Sequence, residues 1–368
     1  MSAPAIAPLV IRLGAIALGF LVATAYVPAV IGASIPTGYL VIMFLVPIFL
    51  LVSKIRITTS HLYGALFLFY VYLSLCWTFR LNIGFFIFLQ TFALATVFCL
   101  GSAIEDLTDV FRGMALGLGV SALIGLYQLI DVNIIYNSNT MGYPSGLFIN
   151  HNVFCETSII MFVALIVLKM YWWVPVTIPG IIFVQSRAAM LALIVSAFAW
   201  LFNRNRIFAL LLIPPFVLAI TAYYFNYRFD LSSVDERFAI WNDTIRGLTL
   251  FGHGVGSYEI TFPAFAKDLD INIVRPAQAH NDLLQLIYEF GIGVILLIPL
   301  AWNILKIKCD EKIILYCIGI ISIFNFPMHI PITAFIACLV AGYITRFDVA
   351  YEPIRFSWRP ILFTRFKV

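Results

Sequence analysis

The sequence predicts an all-α, polytopic membrane protein with about twelve transmembrane helices and one long outward loop, and three observations predict it. Hydrophobic residues fill 62% of the 368 positions and charged residues only 11%, where a soluble chain carries about 25% charged residues. Apolar runs approaching the roughly 20 residues that cross a bilayer recur along the whole chain. Lys and Arg also fall unevenly on alternate connections, as they do in proteins oriented by positive charge on the cytoplasmic side.

In order, the apolar runs lie at 12–31, 38–53, 60–78, 83–101, 112–131, 152–168, 171–185, 187–202, 207–224, 283–304, 312–325 and 331–345. Arg12 ahead of Leu13–Ile31 reads as the start of an uncleaved first span, with no amphipathic transit segment before it. The seventh run carries Pro175 and Pro179-Gly180 and is expected to be tilted or broken. Of the 22 Lys and Arg residues, one set of connections holds 15, and the other holds only Arg80, Arg187, Arg228, Arg237, Arg246, Lys267 and Arg275. Both termini are therefore expected on the cytoplasmic side and the loop 225–282 on the outer side of a single integral membrane domain. The basic and aromatic tail 346–368 is expected to lie against the anionic leaflet, and it is too short for a nucleic-acid role. Six cysteines lie in or near apolar segments with no CxxC pair, so neither a disulfide framework nor a metal site is expected.

The outward loop carries most of the polarity. Ser233 and Glu236 have capping-box spacing, and Phe238, Trp241, Ile245 and Leu248 then recur at helical steps. This predicts a short surface helix with Arg237 in its first turn and Trp241 at the headgroup level. Gly252, Gly254 and Gly256 are expected to form a flexible turn that ends it. GHGVGSY is not a dinucleotide-binding loop, because no βαβ unit surrounds it.

At the loop's far end, PAQAHNDLLQLIYEFGIG (276–293) places a His-Asn-Asp cluster at the entrance of a hydrophobic helix. Asp282 and Gln285 have capping spacing. Glu289 falls on the same face and inside the membrane, where ionisable groups are functional candidates. It could equally bond a neighbouring helix, and His280 could be an ordinary surface histidine. Arg187, in the first turn of a helix, opposes the helix dipole, so it either snorkels to headgroups or binds an anion. Asn150, His151 and Asn152 could cap a helix or contact a sugar. Arginines suit phosphate oxygens, and a nearby histidine can take a proton from a hydroxyl. The combination suggests group transfer from a lipid-linked phosphate or diphosphate.

Four stretches, PSGLFINHNVF, SRAAMLAL, ERFAIWNDTIRGLTLFGHGVGSY and AHNDLLQLIYEFGIG, resemble in order and place the O-antigen ligase and O-antigen polymerase superfamily of bacterial surface-polysaccharide enzymes. FPMHIPITAF (326–335) is similar to the family's last element. The resemblance covers roughly 140–340; the first 130 residues match only as hydrophobic spans. It implies an inverting, metal-independent membrane glycosyltransferase without a cofactor, embedded in the bacterial inner membrane with its active face periplasmic. The donor it implies is a glycan on undecaprenyl diphosphate, and the acceptor a lipid A-core or glycan hydroxyl. Matched by motif, Arg187 and Arg237 would hold the diphosphate and His280 would assist the acceptor. Arg246, Glu289, Asn281 and Asn152 are possible supporting residues. The loop is short and leaves no separate acceptor domain, which argues against a protein acceptor. Ligase is the leading expectation and repeat-unit polymerase its close rival. A lipid-linked glycan transporter is disfavoured, because charged residues are nearly absent from the spans.

Overall fold

The computed structural model describes residues 3–25, 37–52, 55, 57–130, 144–148, 150–182, 186–211, 232–269 and 276–347. These residues are built from helices, as expected. Four helices are long and apolar enough to cross a membrane: Leu81–Ala103, Thr108–Gln128, Arg187–Arg204 and Asp282–Lys306. Six shorter apolar helices accompany them, at Ile11–Thr24, Thr37–Leu50, His151–Val167, Tyr171–Ile182, Lys312–Phe324 and Pro331–Thr345. The expectation of about twelve crossings is therefore met only in part. The run 207–224 lies mostly outside the described residues, as do Arg228, Arg275 and the tail beyond Phe347.

Proline and glycine shorten two of these elements. Tyr171–Thr177, with Pro175 inside it, is wound as a tighter 3₁₀ helix before a short α-helix Ile178–Ile182. Proline removes an amide donor from the ladder, so the seventh run is broken where the sequence placed the break. The run 283–304 is likewise composite. An α-helix Asp282–Phe290 ends at Gly291, which adopts φ 50, and the chain continues as a 3₁₀ stretch before Ile298–Lys306.

Small residues let the helices approach backbone to backbone. A Cβ on Gly113 would stand 1.9 Å from the Ile16 carbonyl oxygen, and one on Gly342 would stand 2.0 Å from that of Phe98. Close contact at glycine compensates for the weak hydrophobic drive between helices in lipid. Around these contacts a continuous apolar core forms, and His151–Val167 runs through it buried on almost every side. Arg346, the first residue of the expected tail, is half-buried. Its guanidinium donates to the Ile104 and Glu105 carbonyls at 2.7 and 2.9 Å. A cation on the last carbonyls of a helix complements its dipole.

Candidate active site

The loop before Asp282–Phe290 is braced at Ala279. The Ala279 amide donates to Gln285 Oε1 at 2.9 Å, and its carbonyl accepts from the Trp241 indole at 3.0 Å. Trp241 is therefore a strut between the surface helix Ser232–Arg246 and this loop rather than a free headgroup anchor. The brace holds His280 at φ 51, a conformation that a residue with a Cβ rarely adopts and that surrounding structure must enforce. Asn281, not Asp282, caps the following helix, with its Oδ1 accepting from the Leu284 amide at 2.9 Å. Asp282 instead fastens the turn Pro327–His329. It accepts from the Met328 amide and Ser322 hydroxyl at 3.0 Å each and pairs with His329 Nδ1 at 3.0 Å.

His280 faces a second chain segment. Its Nδ1 lies 3.3 Å from Asn325 Oδ1, and Asn325 Nδ2 donates to Glu156 Oε1. The Ser186 hydroxyl donates to that same Glu156 oxygen at 3.2 Å. Ser186 Oγ also accepts from the Ala189 amide at 3.4 Å, capping the helix whose first residue is Arg187. Arg237 lies within electrostatic reach of Glu156, Arg187 and His280. The three residues expected to form the site thus converge from three distant stretches on Glu156 and Asn325, neither of which was singled out from sequence.

The electrostatics follow from burial and from unequal charges. Desolvation, then the Arg237 charge, holds the His280 imidazole below its usual pKa of 6.5, and the Asn325 bond partly offsets them. Burial also lowers the Arg237 pKa; Glu156 opposes that shift and Arg187 adds to it. Arg237 thus has one guanidinium, Arg187, and two carboxylates, Glu156 and Glu236, within electrostatic reach.

The supporting residues separate from this cluster. Arg246 stands about two and a half turns beyond Arg237, hence on the opposite side of the helix. It pairs with Asp243 at 2.6 Å and Asp268 at 3.0 Å, while Asp243 also accepts from the Asp268 and Leu269 amides. Those bonds tether the loop. Asn152 sits half-buried one position inside its helix, where Asn150 provides the cap to the Val153 amide at 2.9 Å.

Glu289 is buried and accepts from the Gly256 and Tyr258 amides at 3.1 and 3.3 Å. The His253 and Gly254 amides bond the Tyr288 and Glu289 carbonyls at 3.0 and 2.9 Å. The glycine stretch is therefore clamped onto the helix end. The surface helix has already ended at Arg246, before the glycines. Gly252 and Gly254 have φ 72 and 88 and meet backbone within 3 Å of an added Cβ, so only glycine fits this approach. Glu289→Leu would leave the buried Tyr258 amide and the half-buried Gly256 amide without acceptors, at about 1–3 kcal/mol for a fully buried one. We expect a lower unfolding temperature in detergent than for Glu289→Gln; equal temperatures would refute the clamp.

A cavity of about 1760 Å³ borders Asp282–Phe290, with Asp282 and Glu289 among its lining residues. Leu68, Phe92, Leu286 and Leu300 line it among many apolar groups, with Gln285 and His329 on its wall; Arg187, Arg237 and His280 are not part of the lining.

Comparison with protein families places the cluster in a known setting. Residues 155–298 match the O-antigen ligase family model. The matched stretch is similar to O-antigen ligases. It takes in Glu156, Arg187, Arg237 and His280, while Asn325 and His329 lie beyond it. That likeness supports a ligase- or polymerase-type membrane glycosyltransferase, and with the apolar helices a multi-pass bacterial membrane protein. No curated protein matches the chain.

Proposed function

We propose that the chain is an inverting, metal-independent glycosyltransferase of the O-antigen ligase type. It moves a glycan from undecaprenyl diphosphate to a lipid A-core hydroxyl at the periplasmic face of the inner membrane. The supporting observation is the convergence of Arg187, Arg237 and His280 on Glu156 and Asn325. His280 Nε2 takes the acceptor hydroxyl proton as the oxygen attacks the anomeric carbon. The bond from that carbon to the diphosphate oxygen breaks, and Arg187 and Arg237 neutralise the charge developing on the leaving undecaprenyl diphosphate. The apolar cavity offers room for a polyprenyl chain. Lysine and arginine asymmetry supports a topology with both termini cytoplasmic and the His280 loop outside.

The reading is tested by gel analysis of lipopolysaccharide from a strain lacking the gene. Bare core with polymer left on the carrier is the expected result, while core bearing a single repeat unit would identify a polymerase instead. A normal ladder in a strain without a second such enzyme would remove both.

The base assignment has a pH signature. Only neutral imidazole accepts the proton, so transfer is present above the His280 pKa and lost as pH falls through it. Because burial and Arg237 depress that pKa, the acid limb of kcat/KM is expected below the ordinary value of 6.5. An acid limb above that value would contradict the assignment.

A further inference from the structure

We propose that Glu156 and Asn325 are positioning residues that hold His280 in the tautomer with its lone pair on Nε2. The inference rests on the proposed role of His280 as a base.

The direction of each hydrogen bond carries the argument. Glu156 Oε1 receives the Ser186 hydroxyl as well as Asn325 Nδ2. The Ser186 oxygen already accepts from Ala189, which leaves its own proton for Glu156. Oε1 acts as the acceptor of both bonds, whether Glu156 is ionised or carries its proton on Oε2, so the Asn325 amide turns its NH₂ group towards it. Its Oδ1 then faces His280 Nδ1 at 3.3 Å and can only accept, which places the imidazole proton on Nδ1. In the neutral ring the lone pair is then on Nε2. Asn325 is itself buried, and its backbone amide bonds Ile321 at the end of Lys312–Phe324, so the relay is anchored in the core.

Glu156 has a second connection. The oxygen that orients Asn325 also holds the Ser186 cap of the Arg187 helix. One carboxylate therefore ties the base to the element that presents an arginine. A single acidic residue buried in an apolar helix is expensive and is retained for such a task.

The test uses the full chain in nanodiscs, with an undecaprenyl-diphosphate-linked glycan as donor and a core glycan as acceptor. Asn325→Leu is expected to lower kcat about 10–100-fold, the usual effect of losing an orienting partner, with donor KM within about threefold. Asn325→Asp can share one proton with Glu156 and still accept from Nδ1. It is expected to keep kcat within about tenfold and to move the acid limb to higher pH, since a nearby carboxylate favours imidazolium. Glu156→Gln, which still offers Oε1, should retain more activity than Glu156→Leu. Combined with His280→Ala, Asn325→Leu should add no further loss, because its effect passes through His280.

Wild-type kcat in Asn325→Leu, or a full additional loss on the His280→Ala background, would overturn the positioning role. Full activity in His280→Ala would overturn the base assignment and this proposal together. Loss in His280→Ala with wild-type kcat in Asn325→Leu would overturn this proposal alone.

Discussion

His280→Ala is expected to slow glycan transfer by about 10²–10⁴-fold, the range associated with removing a general base. Donor KM should change far less, because the diphosphate is assigned to the arginines. The position allows an informative control. His280 is held at φ 51, which costs a residue with a Cβ conformational energy that glycine does not incur. His280→Gly should therefore fold at least as readily as His280→Ala and be equally inactive. His280→Asn tolerates the same backbone region but cannot serve as the base. Loss of rate in all three, with normal membrane expression and detergent elution, separates chemistry from folding. A rate within about threefold of wild type in any of them would show that His280 does not take the proton.

How much of this was legible in the sequence depended on the range of the interaction. Apolar runs and proline breaks are local, and the run holding Pro175 is broken in the observed chain, whereas the break at Gly291 was not anticipated. Capping is local too, yet the neighbouring Asn281 and Asp282 compete for the same role. Long-range partners decided between them. Ser322, Met328 and His329 recruit the Asp282 carboxylate, which leaves the cap to Asn281. The same reasoning applies to the surface helix. Its periodic stripe was read correctly as helical, but Phe238 and Ile245 point outward, and Ile240 and Asp243 meet the core.

Glu156 and Asn325 were missed for a related reason. Glu156 hides inside HNVFCETSIIMFVALIV, whose only signal was an isolated ionisable group in an apolar span. Asn325 ends a hydrophobic run and is separated from Glu156 by 169 positions. No spacing rule connects such residues; tertiary packing alone brings them together. Arg187, Arg237 and His280 were singled out through motif resemblance, while Glu156 and Asn325 were not part of the motifs.

The second large effect is expected at Arg237. The residue is half-buried within electrostatic reach of Arg187, with Glu156 and Glu236 as countercharges. Two guanidinium groups within electrostatic reach of each other suit an anionic ligand whose oxygens both can bond. Charge also increases on the leaving diphosphate as the glycosidic bond breaks, and donors fixed in advance stabilise that charge more than solvent would. Arg237→Ala is therefore expected to reduce kcat by about 10²–10³-fold, as when one such donor is removed elsewhere. Lysine restores the charge but not the planar fork that can hold two phosphate oxygens, so Arg237→Lys should recover only part of the loss. Arg246 supplies the contrast on the same helix. Its bonds to Asp243 and Asp268 predict a lower unfolding temperature for Arg246→Ala with kcat near wild type. Equal kcat losses at Arg237 and Arg246 would mean that the helix as a whole matters, and would remove the specific assignment of Arg237 to the diphosphate.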